Sequence, residues 1–215
     1  MGTERSEIAP DKINIGCGTN LMVGYLNCDI RELPGVDAQF DAFVVPWPLS
    51  DNRFEEVLLS HFVEHIPHTL RKYKTFEPVL GPSKVGQAVW QYDPEPIWTE
   101  DGFFVFFREV HRILRPGGIV EIWTPHPWCE PSFRDPTHTR HIPASTWSYF
   151  WEKAGTFDYQ LDYSFELVDG LVYLLTKVWQ QRWDKGLEKM VAGMITTDQW
   201  NVAHTYKIRL RKPLT

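Results

Sequence analysis

Three cysteines in 215 residues, Cys17, Cys28 and Cys129, are too few and too scattered for a disulfide framework. No CxxC pair occurs among them, and the odd count implies reduced thiols in a cytosolic setting. Positive charge is also short. Lys and Arg number 22 against 28 Asp and Glu, a formal charge of −6. Binding to a phosphate backbone runs on Lys and Arg, so a nucleic-acid partner is disfavoured. The one basic cluster, YKIRLRK near the C-terminus, alternates as a strand does, which makes its cations a solvated face. No apolar run approaches the ~20 residues that span a bilayer, and the polar, acidic opening MGTERSEIAPDK does not read as a signal peptide. There is no internal repeat and no low-complexity tract. These shortages point to a cytoplasmic chain with neither a membrane nor a nucleic-acid partner, and leave its oligomeric state open.

Apolar residues are plentiful: 43% of the chain is hydrophobic and 14% aromatic, with ten Trp. That suffices for one α/β domain over residues 1–215. INIG is a compact strand that feeds a glycine turn, and GYLNCDI a second strand ending in an acid. VDAQFDAFVV holds a third, closed by Pro46-Trp47-Pro48, and FEEVLLSHF a fourth. Residues 69–102 are punctuated by Pro and Gly and carry Trp90, Tyr92 and Trp98. A stretch of that length inside a compact domain reads as an insertion, such as a lid. FFVFFREVHRIL repeats apolar residues at helical spacing and is stopped by Arg115-Pro116-Gly117-Gly118. IVEIWTP is a fifth strand. PASTWSYFWEKAG predicts a short helix with Ser145 as a possible N-cap. FELVDGLVYLL and TYKIRLRK supply the last strands around helical material near residues 180–195. This alternation predicts a Rossmann-like, mostly parallel sheet of about seven strands with helices on both faces and the last strand antiparallel.

The glycine turn in KINIGCGTN narrows the cofactor. A dinucleotide fingerprint needs a third Gly or Ala where Leu21 stands, and an acid about 20 residues further on. Asp29 comes too early, and the gap from Gly18 to Gly24 leaves no room for a helix to face a pyrophosphate. A triphosphate loop is excluded because no GK[ST] follows. A ligand with ribose, adenine and an amino-acid tail but no phosphate remains, which is S-adenosylmethionine. Bare glycine backbone admits its aminocarboxyl end. Asp29, at the end of the second strand, is placed to accept from the ribose hydroxyls.

Four segments, INIGCG, the NCD acid, PWPLSDNRFEEVLLSHFVEHIPH and REVHRILRPGGIVEIWTPH, then follow in order. Together they resemble the motifs of class I S-adenosylmethionine-dependent methyltransferases, in particular the small methyltransferase-type-11-like group with EHIP and PGG segments. The resemblance covers roughly residues 12–126 outside the insertion. DPTHTRHI resembles a segment of one branch of that group. It implies that Asn14, Gly16, Cys17 and Gly18 border the methionine end, that Asp29 holds the ribose, and that Ile30 lies against the adenine with Asp41 near its amino group. Ser60 and His61 would face the sulfonium. It implies a methyl transfer to a small acceptor; the alternative is a catalytically inactive cofactor- or partner-binding module that keeps the methyltransferase fold. His61 and His138 are the candidate catalytic groups. For His138 a loop held by Asp135 and Thr137 side-chain bonds is the competing account, and His65 reads as a structural hydrogen-bonder. His126, Cys129, His138 and His141 match no standard ligand spacing, so no metal site is expected.

Overall fold

The computed structural model describes residues 10–73, 80–81, 84–85, 92–96, 100–150, 161–196 and 200–214. In chain order the elements are β1 (Lys12–Ile15), β2 (Leu26–Asp29), β3 (Ala38–Gln39), β4 (Val44–Val45), β5 (Phe54–Ser60), β6 (Arg71–Tyr73), β7 (Leu80–Gly81), β8 (Lys84–Val85) and β9 (Tyr92–Pro96). They continue with α1 (Gly102–Ile113), β10 (Leu114–Pro125), α2 (Glu130–Arg134), β11 (Glu166–Leu167), β12 (Val172–Leu175), α3 (Lys177–Trp183), α4 (Glu188–Thr196) and β13 (Ala203–Arg211).

Eight strands form the main sheet in the order β11-β13-β10-β5-β1-β2-β3, with β12 also on β13. The run from β10 to β3 is parallel. The long last strand β13 is antiparallel to β10, as expected. Register aligns Ile13, Val57, Val120 and Leu210 on one face, all of them buried. The opposite face carries a polar ladder in which Lys12 bonds Glu56, and Glu121 pairs with Lys207 and Arg209.

Helix α1 covers the apolar face. Asp101 caps it by accepting from the Phe103 amide at 2.8 Å. Phe103, Phe106, Phe107, Val110 and Ile113 recur at helical spacing and are all buried. Each buried ring adds about 1.5–3 kcal/mol relative to exposure. Phe103 and Phe104, which adjoin the insertion, therefore belong to the core side of α1. From the polar side of the same helix, Glu109 accepts from the Trp47 amide and from Arg112, and Arg112 donates to the Trp47 and Leu49 carbonyls. The PWPLS and REVHR segments are thus one buried network that fixes the loop before β5 to the helix after it.

Three local expectations change. VDAQFDAFVV holds two short strands rather than one, because Asp41 turns the chain between them by accepting from the Phe43 amide. β3 stays on the main sheet while β4 joins β6 and β9 in a small one. Residues Ala144–Tyr149 form a 3-10 turn entered from Pro143 with no side-chain cap, so Ser145 is not an N-cap. The proline fixes that approach, and Trp147, buried with its indole N–H on the Tyr206 hydroxyl, holds the turn. Within 69–102 the described residues contribute β6 to β9, with β7 and β8 paired antiparallel. Trp90 and Trp98 lie outside the described residues.

Candidate functional site

β1 delivers the chain into the glycine turn at the C-terminal edge of the parallel strands, where ligands of open α/β sheets bind. Gly16 and Gly18 both take positive φ, +67° and +52°, which side-chain-bearing residues rarely adopt. No helix follows. The segment from Gly18 to Tyr25 returns as a loop, closed by Asn14 Nδ2 on the Asn20 carbonyl and by the Met22 amide on Asn27 Oδ1. Asn14 is therefore a buried fastener of the loop, and Cys17 is buried beside it, its amide on the Cys28 carbonyl.

Asp29 ends β2 at the floor of this turn. One carboxylate oxygen accepts from the Gly18 amide at 2.8 Å; the other accepts from the Arg31 amide at 2.9 Å and from Arg31 Nε at 3.0 Å. Burial pushes its pKa up, but the Arg31 side chain and the two backbone donors outweigh burial. The carboxyl is held below its ordinary value and stays ionised.

A cleft of about 120 Å³ opens against Asp29, lined by Gly16, Ile30, Asp41, Ala42, Phe43 and Phe62 among others. Four residues expected from the sequence, Gly16, Asp29, Ile30 and Asp41, meet there. Gly18 takes part through its amide on Asp29. Asn14, Cys17, Ser60 and His61 are not on its wall. Ser60 pairs in register with Trp123, and His61 lies over Glu64.

Phe43, Phe62 and Arg31 were not singled out from the sequence. Phe62 follows His61 and lays its ring over Gly16 so closely that a Cβ there would overlap it. It is packed on Phe43 and Phe106. The residues present fit the adenosine half of S-adenosylmethionine: an ionised carboxylate for the ribose, apolar walls from Ile30 and Phe43, and Asp41 on the same lining. The Phe62 ring stands beside the bare glycine backbone that the methionine half requires.

Beyond Phe62 the chain makes a 3-10 turn, Val63–His65, that meets the DPTH loop. The Thr139 and Arg140 amides both donate to the Glu64 carbonyl. Thr137 bonds Asp135 through its amide and hydroxyl, which bears out the loop account of this segment. His138 and His65 come together as edge-to-face rings 4.7 Å apart. His126, Cys129 and His141 are engaged elsewhere. Cys129 Sγ bonds the His126 and His204 carbonyls, and His141 bonds the Ser132 hydroxyl. All three cysteines are free and buried.

No family model and no curated protein matches the sequence. Solved structures do. An S-adenosylmethionine-dependent methyltransferase from Archaeoglobus fulgidus is 16% identical with a TM-score of 0.51, covering 95% of this chain and 86% of that one. A candidate methyltransferase from Bacillus halodurans is 15% identical with a TM-score of 0.50, covering 96% and 94%. A candidate S-adenosylmethionine-dependent methyltransferase from Listeria monocytogenes is 12% identical with a TM-score of 0.50, over 96% and 94%. At these identities the likeness is one of architecture. The chain has the Rossmann-like fold that these proteins share.

Proposed function

We propose that this chain is an S-adenosylmethionine-dependent methyltransferase with a small-molecule acceptor. The observation that carries the reading is the Asp29 carboxylate, ionised and set between the glycine turn and the cleft at the end of β2. The fold shared with solved methyltransferases supports it. When bound, the cofactor supplies an electrophilic methyl group on its sulfonium. The protein's own work is to bind, align and exclude water. Alignment alone is worth about 7–11 kcal/mol of a bimolecular barrier. Asp29 would hold the ribose, Ile30 and Phe43 the adenine, and Asp41 the adenine amino group. The methionine end would lie along Gly16 and Gly18 once the Phe62 ring swings aside. His61 and His138 stay the candidates for taking a proton from an acceptor that must lose one.

A second reading, a binding module without turnover, has one observation in its favour. The Phe62 ring lies over Gly16 on the cleft wall, where the methionine end of the cofactor would have to pass. S-Adenosylhomocysteine separates this pair from any unrelated role. Saturating S-adenosylhomocysteine raises the melting temperature on either reading, because a ligand bound to the folded state alone stabilises it. An unchanged melting curve would overturn the methyltransferase and any cofactor-binding module alike; where the curve rises, labelled methyl transfer to an acceptor panel favours the first.

A further inference from the structure

A buried acid lies beside two imidazoles at the end of β5, outside the cleft. Glu64 is 2% exposed, and its Oε1 has no hydrogen-bond partner among the described residues. Its Oε2 accepts from the Thr124 hydroxyl at 3.2 Å. One donor atom from each of Glu64, His65 and His138 falls within 4.8 Å of the others. His61 Nδ1 stands 3.4 Å from the unpaired oxygen, outside hydrogen-bond geometry, and forms an ion pair with it only when the half-exposed His61 ring is protonated. A buried carboxylate oxygen left without a partner is costly, and the arrangement calls for a positive charge at that spot.

The hydrogen bonds behind the two rings say which charge. His138 Nδ1 lies 2.9 Å from the Ser132 carbonyl, so it carries the proton and donates. His65 Nδ1 faces the Thr137 carbonyl at 3.3 Å and the Thr137 hydroxyl at 3.0 Å. That hydroxyl donates onward to Asp135 at 2.6 Å, so His65 Nδ1 is also the donor. Nε2 of each neutral ring is therefore the nitrogen left with a free lone pair. Imidazoles anchored through one nitrogen to a carbonyl, or through a hydroxyl to a carboxylate, are the usual supports of metal-ligating histidines. The two segments that bring the donors together are already locked, since Thr139 and Arg140 donate to the Glu64 and Ile66 carbonyls.

We propose that Glu64, His65 and His138 form a binding site for a divalent first-row transition cation, with one carboxylate and two imidazole ligands and open positions for water or substrate. Carboxylate and imidazole without thiolate suit Zn²⁺, Mn²⁺ or Fe²⁺ over soft Cu(I). Bonds of about 2.0–2.2 Å draw the donors closer by about an ångström, which the half-buried His65 and His138 rings supply by rotation. On the methyltransferase reading, the open positions take an oxygen of the acceptor and lower its pKa, which replaces proton uptake by His138 and leaves His61 as the candidate base; the cation site itself stands without that reading.

The test is calorimetric titration of the chelator-stripped full chain with Zn²⁺ and, separately, Mn²⁺. One equivalent is expected to bind at micromolar or tighter affinity to at least one of them. Glu64→Gln and His138→Gln should each weaken it by more than about 100-fold, and Thr137→Val, which leaves all three ligands in place, by about 10-fold or more. His68→Gln, on a histidine paired with Asp101 outside the set, should leave it unchanged. Circular dichroism confirms folding of each variant, and His138→Gln with Thr137→Val carries the test if Glu64→Gln does not fold. Absence of binding by both metals, or one-equivalent binding indifferent to these changes, would overturn the proposal.

Discussion

An arriving ribose hydroxyl needs an acceptor on Asp29, and both of its oxygens already accept bonds. A carboxylate has about four lone-pair sites, so capacity remains. The bond most easily given up is that of the Arg31 guanidinium, whose side chain is 64% exposed. Exposed pairs of this kind are worth about 0–1 kcal/mol. Arg31→Ala should therefore change the affinity for S-adenosylhomocysteine by less than about fivefold, in either direction. A loss of the order seen on removing the carboxylate itself would show that Arg31 is part of the binding surface. The same scale shows what the sequence could not supply. Gly16, Gly18 and Asp29 were legible because a turn glycine and a strand-end acid have position-dependent meaning. Phe62 was not, since an aromatic after a strand is far more often core than cleft wall. Glu64 was passed over beside the histidines of EHIPH, although an acid directly before a histidine at a strand end was the available signal. Its missing partner becomes visible only when the DPTH loop, 70 residues on, folds against it.

At the level of elements, the strongly periodic pieces were readable and the short ones were not. α1 lies within a residue of its expected bounds, because it is long and has one clean apolar face. β10 ends at Pro125 as expected but starts at Leu114, five residues before Ile119, because Arg115-Pro116-Gly117-Gly118, expected only to stop the helix, is carried into the strand across a register shift against β5. β3 and β4 have two residues apiece, and pairing partners decide their existence. The glycine loop's missing helix followed from simple chain length. Helix α1 also carries a pH signature. His111 packs against Tyr163 and Phe165, and burial, with Lys212 nearby, lowers its pKa to about 4 from 6.5. The unfolded chain takes up this proton near pH 6.5 while the folded chain refuses it until about pH 4. Its contribution to stability is therefore complete above about pH 6.5 and is lost as pH falls towards 4. Chemical denaturation at about pH 7 and pH 5 should show a loss of roughly 1–2 kcal/mol that His111→Gln removes. An equal loss in the variant would place the pH dependence elsewhere.

For the whole molecule, the order of strands puts the glycine turn, the β2 acid and the end of β5 along one edge of a parallel sheet. No described helix is long and apolar enough to cross a membrane. Fold class was the most readable property, since it rests on many weak signals that agree. The acceptor was the least, because it depends on side chains brought together from distant segments. The claim on which the rest depends is that the cleft at Asp29 binds an adenosyl sulfonium. Isothermal calorimetry with S-adenosylmethionine and S-adenosylhomocysteine tests it most directly, comparing the unaltered protein with Asp29→Ala and the near-isosteric Asp29→Asn. Micromolar one-to-one binding of both ligands is expected, weakened at least about 100-fold in each folded variant, as loss of a charged hydrogen-bonding partner of about 3 kcal/mol requires. Heat-silent titrations with no measurable affinity for either ligand, or equal binding with and without the Asp29 carboxylate, would contradict it.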